Sequence, residues 1–545
     1  MTSRALPILE ALPAAPGVPR PAMPDPDPAL AEFVTDDQVQ PRFHLWTLGC
    51  QMNRSDAEEM AGALLAAGCR EAAGLEDAEL IVINTCAIRE AAEQKVIGRM
   101  GALSRLKAAN PGLRVVLTGC SVRADNTAIL GRRYPAVDLF LRPDEEPELV
   151  ARLGLLAPTA PAALAPAPSF APVRASVAAT ADRLTTTRAA AVAAGSVARA
   201  AGPRAWLPII YGCDKTCTYC IVPFSRGPER SRPWDDILAE ASRLAEAGYA
   251  EVTLLGQNVN SWGHDLPADP RFAQVRNGRT LGRDLPLDGR PDIAELLRAI
   301  DAIRDPDGRP AIPWLRFITS HPWDLSERLI AAMAECASVC EHLHLPVQAG
   351  DDTVLRRMGR QYSVSAYLEL VGQLRAAIPG IALTTDVIVG FCGETDAQFA
   401  ATLDLLRTVR YDGVFAAAFS PRPGTPAARL PDDVPAETKR ERLNALLALQ
   451  EGISRERNAA WVGRTTEVLV EELRPARGHG HGDAEGEGGA SDGGAPLTQL
   501  TGRNRENRLI HLPGDASLIG RRVAVTIERS GPYALVGRLA DAGAS

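Results

Sequence analysis

The chain has 545 residues, 46% of them hydrophobic and 23% charged, which is globular composition and, at about 150 residues per domain, length for several domains rather than one small module. A net charge of −8 excludes a protein that grips nucleic acid with its whole surface, so any RNA contact must be local. Ten cysteines are too few for a disulfide scaffold, and their clustered spacing suits reduced, metal-binding thiols in a cytoplasmic protein.

Residues 1–41 are rich in Pro, Ala and Asp without periodicity and read as a disordered arm lacking the apolar stretch of a secretory signal. From Phe43, three strand-like runs each end at a cysteine: FHLWTLGC to Cys50, ELIVINTC to Cys86 and LRVVLTGC to Cys120. Helical stretches at 56–67 and 88–108 follow the first two, so residues 42–150 read as an α/β domain with a parallel sheet. Residues 151–205, rich in Ala and Pro, read as a linker. The uncharged run Leu153–Val173 is long enough to span a bilayer, but its five prolines break any helix, and no membrane contact is expected.

Strands and helices alternate again from Trp206. Strands are expected at 206–211, 251–255, 315–319, 342–345, 381–389 and 413–419, with helices at 233–247, 292–303, 327–336, 352–359, 364–378 and 395–409. This is the pattern of a partial (β/α)6 barrel with its site at the strands' C-terminal edge, carrying an inserted loop at 265–291. A helix at about 435–460 closes this second domain, 206–460. The tail, 462–541, reads as a small β-barrel with strands at 466–473, 499–504, 508–513 and 518–540. Its interruption at 477–496 holds His479 and His481 among eight glycines, and reads as a solvated loop rather than a metal site.

Two cysteine constellations carry the chemistry. Cys213, Cys217 and Cys220 form CxxxCxxC directly after a strand; three thiolates at this spacing hold three irons of a cubane cluster and leave one open, whereas structural zinc wants a fourth ligand. Cys50, Cys86 and Cys120 should converge at the carboxyl edge of the first sheet, either as a metal site or as buried packing thiols.

At CxxxCxxC the sequence resembles the radical S-adenosylmethionine (SAM) superfamily, whose open iron binds the amino and carboxylate groups of SAM. Gly256, Gln257 and Asn258 after one strand, and Gly390 and Gly393 after another, are then candidates for the SAM pocket, with ordinary turn chemistry as the alternative. Together with the three strand-end cysteines and the β-rich tail, the chain resembles the methylthiotransferase family: N-terminal cluster domain, radical SAM domain and C-terminal TRAM domain. GCQMNRSDAE (49–58), NTCAIREAAEQKV (84–96), CTYCIVPFSRGPERSRP (217–233), LLGQNVNSW (254–262), RFITSHPWD (316–324), HLPVQAG (344–350) and FSPRPGTPAA (419–428) look most like its tRNA branch. Gln51–Met52–Asn53 is the triplet that separates this branch from those acting on a ribosomal-protein aspartate or on threonylcarbamoyladenosine. Cys392 stands where the family usually has proline, and Ser121–Val122 replace Ala–Gln.

The resemblance implies two 4Fe-4S clusters, one on Cys50, Cys86 and Cys120 and one on Cys213, Cys217 and Cys220, and two SAM per turnover. One SAM methylates sulfur associated with the first cluster; the other yields the radical that takes hydrogen from adenine C2. The product would be 2-methylthio-N6-isopentenyladenosine next to the anticodon. A tRNA anticodon stem-loop and an unidentified reductant protein are the implied partners of a monomeric enzyme, and no catalytic residue is assigned beyond the cluster ligands. Six arginines of the tail, 503, 505, 508, 521, 522 and 529, are expected to grip tRNA phosphates. Arg226, Arg230 and Arg232 either meet tRNA phosphate or SAM carboxylate or are paired surface residues; His342, His344 and Asp386 read as satisfied strand residues; Cys69, Cys336, Cys340 and Cys392 read as incidental thiols. The competing class is a noncatalytic, metal-bearing RNA-binding protein.

Overall fold

Aliphatic runs that stop at Gly–Cys or Thr–Cys build the first sheet of this computed structural model, which describes residues 41–87, 90–155, 197–199, 202–275, 289–475 and 498–540. The N-terminal arm, nearly all of the Ala/Pro-rich segment, residues 276–288 of the inserted loop and the Gly-rich interruption lie outside the described residues. Strands β1 (Arg42–Leu48), β2 (Arg70–Glu71), β3 (Leu80–Thr85), β4 (Arg114–Gly119) and β5 (Leu139–Phe140) pair in parallel in the order β2-β1-β3-β4-β5. Every residue of β3 is buried, as a central parallel strand covered on both faces requires. Alternate residues feed two cores, Leu80, Val82 and Val116 on one face and Ile81, Ile83, Val115 and Leu117 on the other. The first helix runs Gln51–Ala66, five residues earlier than the sequence suggests, because Asn53 Oδ1 accepts the Cys50 backbone N–H at 3.3 Å and makes Cys50 the cap.

In the next region the expected strand 206–211 is two: β6 (Arg204–Pro208) joins the main sheet, and β7 (Ile210–Tyr211) turns away to pair antiparallel with β8 (Arg230–Ser231). Then β9 (Glu251–Leu255) and β10 (Trp314–Ile318) complete a parallel sheet, β10-β9-β6, while β11 (His342–His344), β12 (Ala382–Val389) and β13 (Gly413–Ala418) form a second. A parallel bridge between Leu315 and Val339 joins the halves into one open arc of six strands. Leu207, Val252, Leu254, Leu315, Leu343 and Leu383 point outward into the largest core, under the helices Trp234–Glu246, Ile293–Asp301, Glu327–Glu335, Val364–Ala377 and Asp396–Val409. Asp292, Ser326, Ser363 and Thr395 each accept an N–H from the first turn of the helix they precede, which fixes where those helices start. The other face of the strands, with Trp206, Thr253, Arg316, His342, His344, Asp386 and Phe415, lines the inside of the arc.

The helix Ala436–Ala459 leads to a closed barrel of β14 (Thr465–Pro475), β15 (Thr498–Arg503), β16 (Leu509–Leu512), β17 (Arg522–Ser530) and β18 (Leu535–Leu539), ordered β14-β15-β16-β18-β17. The expected segment 518–540 is two of these strands, split by a tight turn closed by Gly531 N–H on the Ala534 carbonyl at 2.8 Å. Val468, Val470, Leu500, Ile510, Leu512, Val525, Ile527 and Leu535 fill the barrel. Among the described residues no helix is long and apolar enough to cross a membrane.

Candidate functional site

Cys50, Cys86 and Cys120 follow β1, β3 and β4, three adjacent strands, so their backbones lie side by side at one sheet edge. Buried polar side chains fasten those ends. Asn53 Nδ2 donates to Asn84 Oδ1 at 2.7 Å and to the Thr85 carbonyl at 3.1 Å, and Asn84 Nδ2 returns a bond to the Asn53 carbonyl at 2.9 Å. Thr85 Oγ1 donates to the Thr118 carbonyl at 2.8 Å, and Thr118 Oγ1 to Glu146 Oε1 at 2.7 Å. Gly119 has φ +92°, and a Cβ there would lie 2.2 Å from the Thr85 carbonyl oxygen, so only glycine lets β4 close on β3 here. Burial pushes the Cys120 thiol up to about 11; Arg226 opposes this, while Cys50 and Cys86 add to it, which places Cys120 within electrostatic reach of both other thiols.

Cys213, Cys217 and Cys220 sit on the loop between β7 and β8. Gly212, at φ +75°, starts that loop against the Pro228 carbonyl, and its N–H donates to Gln257 Oε1 at 2.6 Å. Cys213 N–H donates to the Gly227 carbonyl at 3.1 Å and Thr218 N–H to that of Met358 at 2.9 Å. Burial pushes the Cys220 thiol up to about 12 and raises Cys213 as well; a mutual interaction with Cys217 works in the same direction in both. Arg360, buried, donates from Nη1 to Cys217 Sγ at 3.5 Å and from Nε to the Tyr362 hydroxyl at 2.9 Å. His321 Nδ1 accepts the Trp323 N–H at 3.2 Å, which puts the ring proton on Nε2, 3.9 Å from Cys217 Sγ. Desolvation, with Arg360 and Lys215 nearby, holds this imidazole well below its ordinary range, so it stays neutral.

Of the candidate SAM-pocket residues, Gly256, Gln257 and Asn258 lie beside the cysteine loop. A Cβ at Gly256 would strike Ile210, Gln257 braces Gly212, and buried Asn258 donates to Asp324 Oδ2 at 2.7 Å and to Glu229 Oε1 at 3.2 Å. Asp324 in turn pairs with Lys215 at 2.6 Å, inside the CxxxCxxC segment. Gly390 and Gly393, both at positive φ, form the turn after β12. The space a Cβ would take there is filled by Lys439 and Arg357, and the backbone N–H groups of Gly390 and Gly393 donate to Glu394 Oε2 and Asp433 Oδ1 at 2.7 and 2.6 Å.

The two cysteine sets face each other across the domain boundary. Ile221 packs with Ala87 and Cys120, and Cys50 and Met52 pack with Tyr211, Trp206, Leu255 and Ile318. Cys120 also raises the Cys220 thiol through its charge, so the two sets lie within electrostatic range. Between them, Arg226 Nε donates to Cys120 Sγ at 3.2 Å and Nη2 to Asp56 Oδ2 at 2.6 Å, with both side chains buried. Arg226 and Arg232 are not the paired surface residues of the second expectation. Arg226 lies inside the protein on a thiol and a carboxylate, Arg232 is buried against Glu240 at 2.8 Å, and Arg230 donates to the Arg226 carbonyl at 3.2 Å. Asn53, Asn84, Arg360 and His321 are supporting residues that sequence reasoning passed over. The signal for Asn53 was present in the Gln51–Met52–Asn53 triplet.

No three His, Cys, Asp or Glu side chains among the described residues close on one point as a single-ion site would. Two sets of three thiols, each receiving a guanidinium N–H on one sulfur, are instead the donor chemistry that a cubane cluster takes. The other cysteines lie among apolar side chains: Cys69 in the first core, Cys336 and Cys392 in the largest, and Cys340 against Trp314 and Leu469. His344 faces Asp386 at 3.4 Å and Thr384 Oγ1 at 3.0 Å, and His342 faces the same hydroxyl at 3.2 Å.

The six tail arginines divide in two. Arg505 pairs with Glu341 at 2.7 Å, Arg508 with Asp412, and Arg503 lies 3.7 Å from Glu471, so these three bind the tail to the arc or to itself; Arg521, Arg522 and Arg529 are exposed, Arg522 in a surface pair with Glu467 at 3.3 Å. An even phosphate-binding surface of six is therefore replaced by an exposed set of three.

An open arc of parallel strands with CxxxCxxC after the first of them defines the class, and residues 207–406 match the radical SAM superfamily. Residues 42–142 match a family described as uncharacterized protein family UPF0004, and 460–540 match the TRAM domain. A tRNA-2-methylthio-N(6)-dimethylallyladenosine synthase of Symbiobacterium thermophilum is 39% identical, covering 92% of this chain and 95% of its own. Proteins of the same description from Moorella thermoacetica and Chloroflexus aurantiacus are each 39% identical, over 92% and 91% of this chain and 98% and 91% of theirs. The chain belongs to the tRNA-2-methylthio-N(6)-dimethylallyladenosine synthase family. A solved radical SAM methyltransferase, TsrM from Kitasatospora setae, aligns over 71% of this chain and 74% of its own at 14% identity, with a TM-score of 0.46.

Proposed function

We propose that this chain is a radical SAM tRNA methylthiotransferase that converts N6-isopentenyladenosine next to the anticodon to its 2-methylthio form. The observation that carries the reading is the juxtaposition of two cysteine triads across one domain boundary, in a chain that matches such synthases along nearly its whole length. Residues 42–150 form the N-terminal cluster domain, 206–460 the radical SAM domain and 462–541 the TRAM-like domain. Cys50, Cys86 and Cys120 would hold one 4Fe-4S cluster, and Cys213, Cys217 and Cys220 would hold the other, to which SAM would bind. When bound, the clusters and two SAM molecules supply the methylated sulfur and the hydrogen-abstracting radical.

The chain's own residues position these groups. Gln257 holds the Gly212 N–H, and with it the start of the cysteine loop, while Asn258, Asp324 and Lys215 tie the loop to the ends of β9 and β10. Arg360, from its guanidinium, and the neutral His321 aim N–H groups at Cys217 Sγ. Gly256 and the turn at Gly390–Gly393 supply close backbone at the strand ends where SAM would lie. The adenine must be splayed from the anticodon loop into the space between the triads, which an unpaired loop base does at low cost. The exposed arginines 521, 522 and 529 contribute to phosphate binding. The enzyme acts as a cytoplasmic monomer served by a reductant protein.

The test is nucleoside mass spectrometry of bulk tRNA from cells with and without the gene. Loss of the methylthio form with accumulation of isopentenyladenosine supports the reading. An unchanged profile, with the precursor present and no duplicate enzyme, overturns the substrate and redirects the search to ribosomal protein or threonylcarbamoyladenosine.

A further inference from the structure

The six cysteines account for thiolate ligands but not for a cation buried between the two sets. Arg226 lies on the segment just after Cys220, in the radical SAM region, yet its guanidinium reaches into the N-terminal domain. One edge donates Nε–H to Cys120 Sγ at 3.2 Å and the other donates Nη2–H to Asp56 Oδ2 at 2.6 Å. Asp56 comes from the helix that Cys50 caps, and Glu146, buried on Thr118, stands close enough to Asp56 and Arg226 for their charges to act on it. A planar fork is the side chain that can hold a carboxylate and a sulfur in one geometry; an ammonium at the same place has one centre for both.

We propose that Arg226 is a positioning residue through which the radical SAM domain sets the seat and the reduction potential of the N-terminal cluster. The inference rests on the reading of Cys50, Cys86 and Cys120 as cluster ligands. With three thiolates the oxidised cluster carries a net −1, and one-electron reduction makes it −2. A buried guanidinium bonded to one ligand sulfur stabilises the second state more than the first, so Arg226 raises the potential, as hydrogen bonds to sulfur and local charge do in iron–sulfur proteins generally. Asp56 works against this by drawing part of the guanidinium charge to itself. Because the donor and the ligand belong to different domains, undocking the N-terminal domain removes the bond, which links the electronic state of this cluster to the assembled site.

The experiment uses full-length protein carrying Cys213→Ala, Cys217→Ala and Cys220→Ala, reconstituted anaerobically, so that iron content and the electron paramagnetic resonance signal report the N-terminal cluster alone. In this background Arg226→Gln should shift the reduction equilibrium toward the oxidised state at least tenfold, which is 59 mV for one electron. Arg226→Lys keeps the charge, loses the two-pronged bond and should shift it less. Asp56→Asn frees the guanidinium to face the cluster and should move the potential in the opposite direction, a sign that survives even if the Arg226→Gln protein does not fold. Lower iron content with an unmoved potential in the clusters that remain, or shifts of one sign in Arg226→Gln and Asp56→Asn, would overturn the proposal. A parent protein that holds no cluster at all would overturn the ligand reading and the proposal with it.

Discussion

Arg316 is the side chain whose loss should be felt most by the joint between the arc and the C-terminal barrel. Its Nε donates to Glu251 Oε2 at 2.7 Å, and its two remaining nitrogens donate to the carbonyls of Arg505 and Asn504, both at 2.7 Å, in the loop between β15 and β16. Arg316 and Glu251 are 8% and 4% exposed, so removing the cation strips this partner from a buried carboxylate and from the Arg505 carbonyl, while the Asn504 carbonyl keeps only the Asn507 N–H. Arg316→Met keeps most of the volume, and breaking a buried pair from one side costs about 3–5 kcal/mol. At about 2–4 °C per kcal/mol for a domain of this size, melting under anaerobic conditions should fall by about 6–20 °C. The companion Glu251→Gln removes the stranded charge, so the double variant should recover about 0.5–3 kcal/mol relative to the sum of the two single losses. A loss below about 1 kcal/mol in Arg316→Met, or strict additivity in the double variant, would refute the account, since either result means the pair is not coupled as its geometry requires.

Gln257→Leu strands the Gly212 N–H beside Cys213, a defect of about 1–3 kcal/mol at the base of the cysteine loop; iron bound per chain should fall, and full iron content would count against the bracing role. Replacing Arg521, Arg522 and Arg529 with Ala should weaken tRNA binding and reduce the salt slope by about 0.7–0.9 for each phosphate no longer neutralised, whereas Arg505→Ala should lower the melting temperature and leave the slope in place. His342 gives the pH dependence: desolvation, reinforced by Arg316, His344, Arg503 and Arg508, holds its imidazole well below 6.5 in the folded protein. The unfolded chain therefore takes up a proton below about pH 6.5 that the folded chain refuses, and stability falls as pH drops from 7.5 to 5.5, by up to about 1.4 kcal/mol per pH unit. Chemical unfolding of His342→Gln across this range should show a shallower fall than the parent.

The strand ends were readable because β1, β3 and β4 are each an apolar run closed by Gly–Cys or Thr–Cys, and parallel strands present such ends at one edge. What holds those ends together was not readable. Asn84 is 31 residues from Asn53, and Asp56 is 170 residues from Arg226, so no local pattern joins the partners. The split between β6 and β7 was hidden for a related reason: Trp206–Tyr211 is continuously apolar, and only pairing with β8, more than twenty residues on, turns Ile210 out of the sheet. Counting charge in the tail misjudged its arginines because Arg505 and Arg508 find carboxylates at Glu341 and Asp412, in another domain.

The placement of those ion pairs decides what the tail can touch. Glu341 precedes β11, Asp412 precedes β13 and Arg204, which pairs with Glu471, opens β6, so the barrel docks at the N-terminal ends of the arc's strands. The cysteines lie at the opposite ends, and five residues of β10 alone separate the two levels by about 16 Å at 3.3 Å per residue. A base held between the cysteine triads is thus out of reach of Arg521, Arg522 and Arg529 unless the RNA runs along the outside of the arc. The tail should therefore meet the backbone of the anticodon stem rather than the loop, and its arginines should govern affinity and salt dependence while leaving the rate of a saturated enzyme unchanged. A fall in that rate on Arg521→Ala, Arg522→Ala and Arg529→Ala substitution would place the tail at the reacting base and contradict the docking seen here.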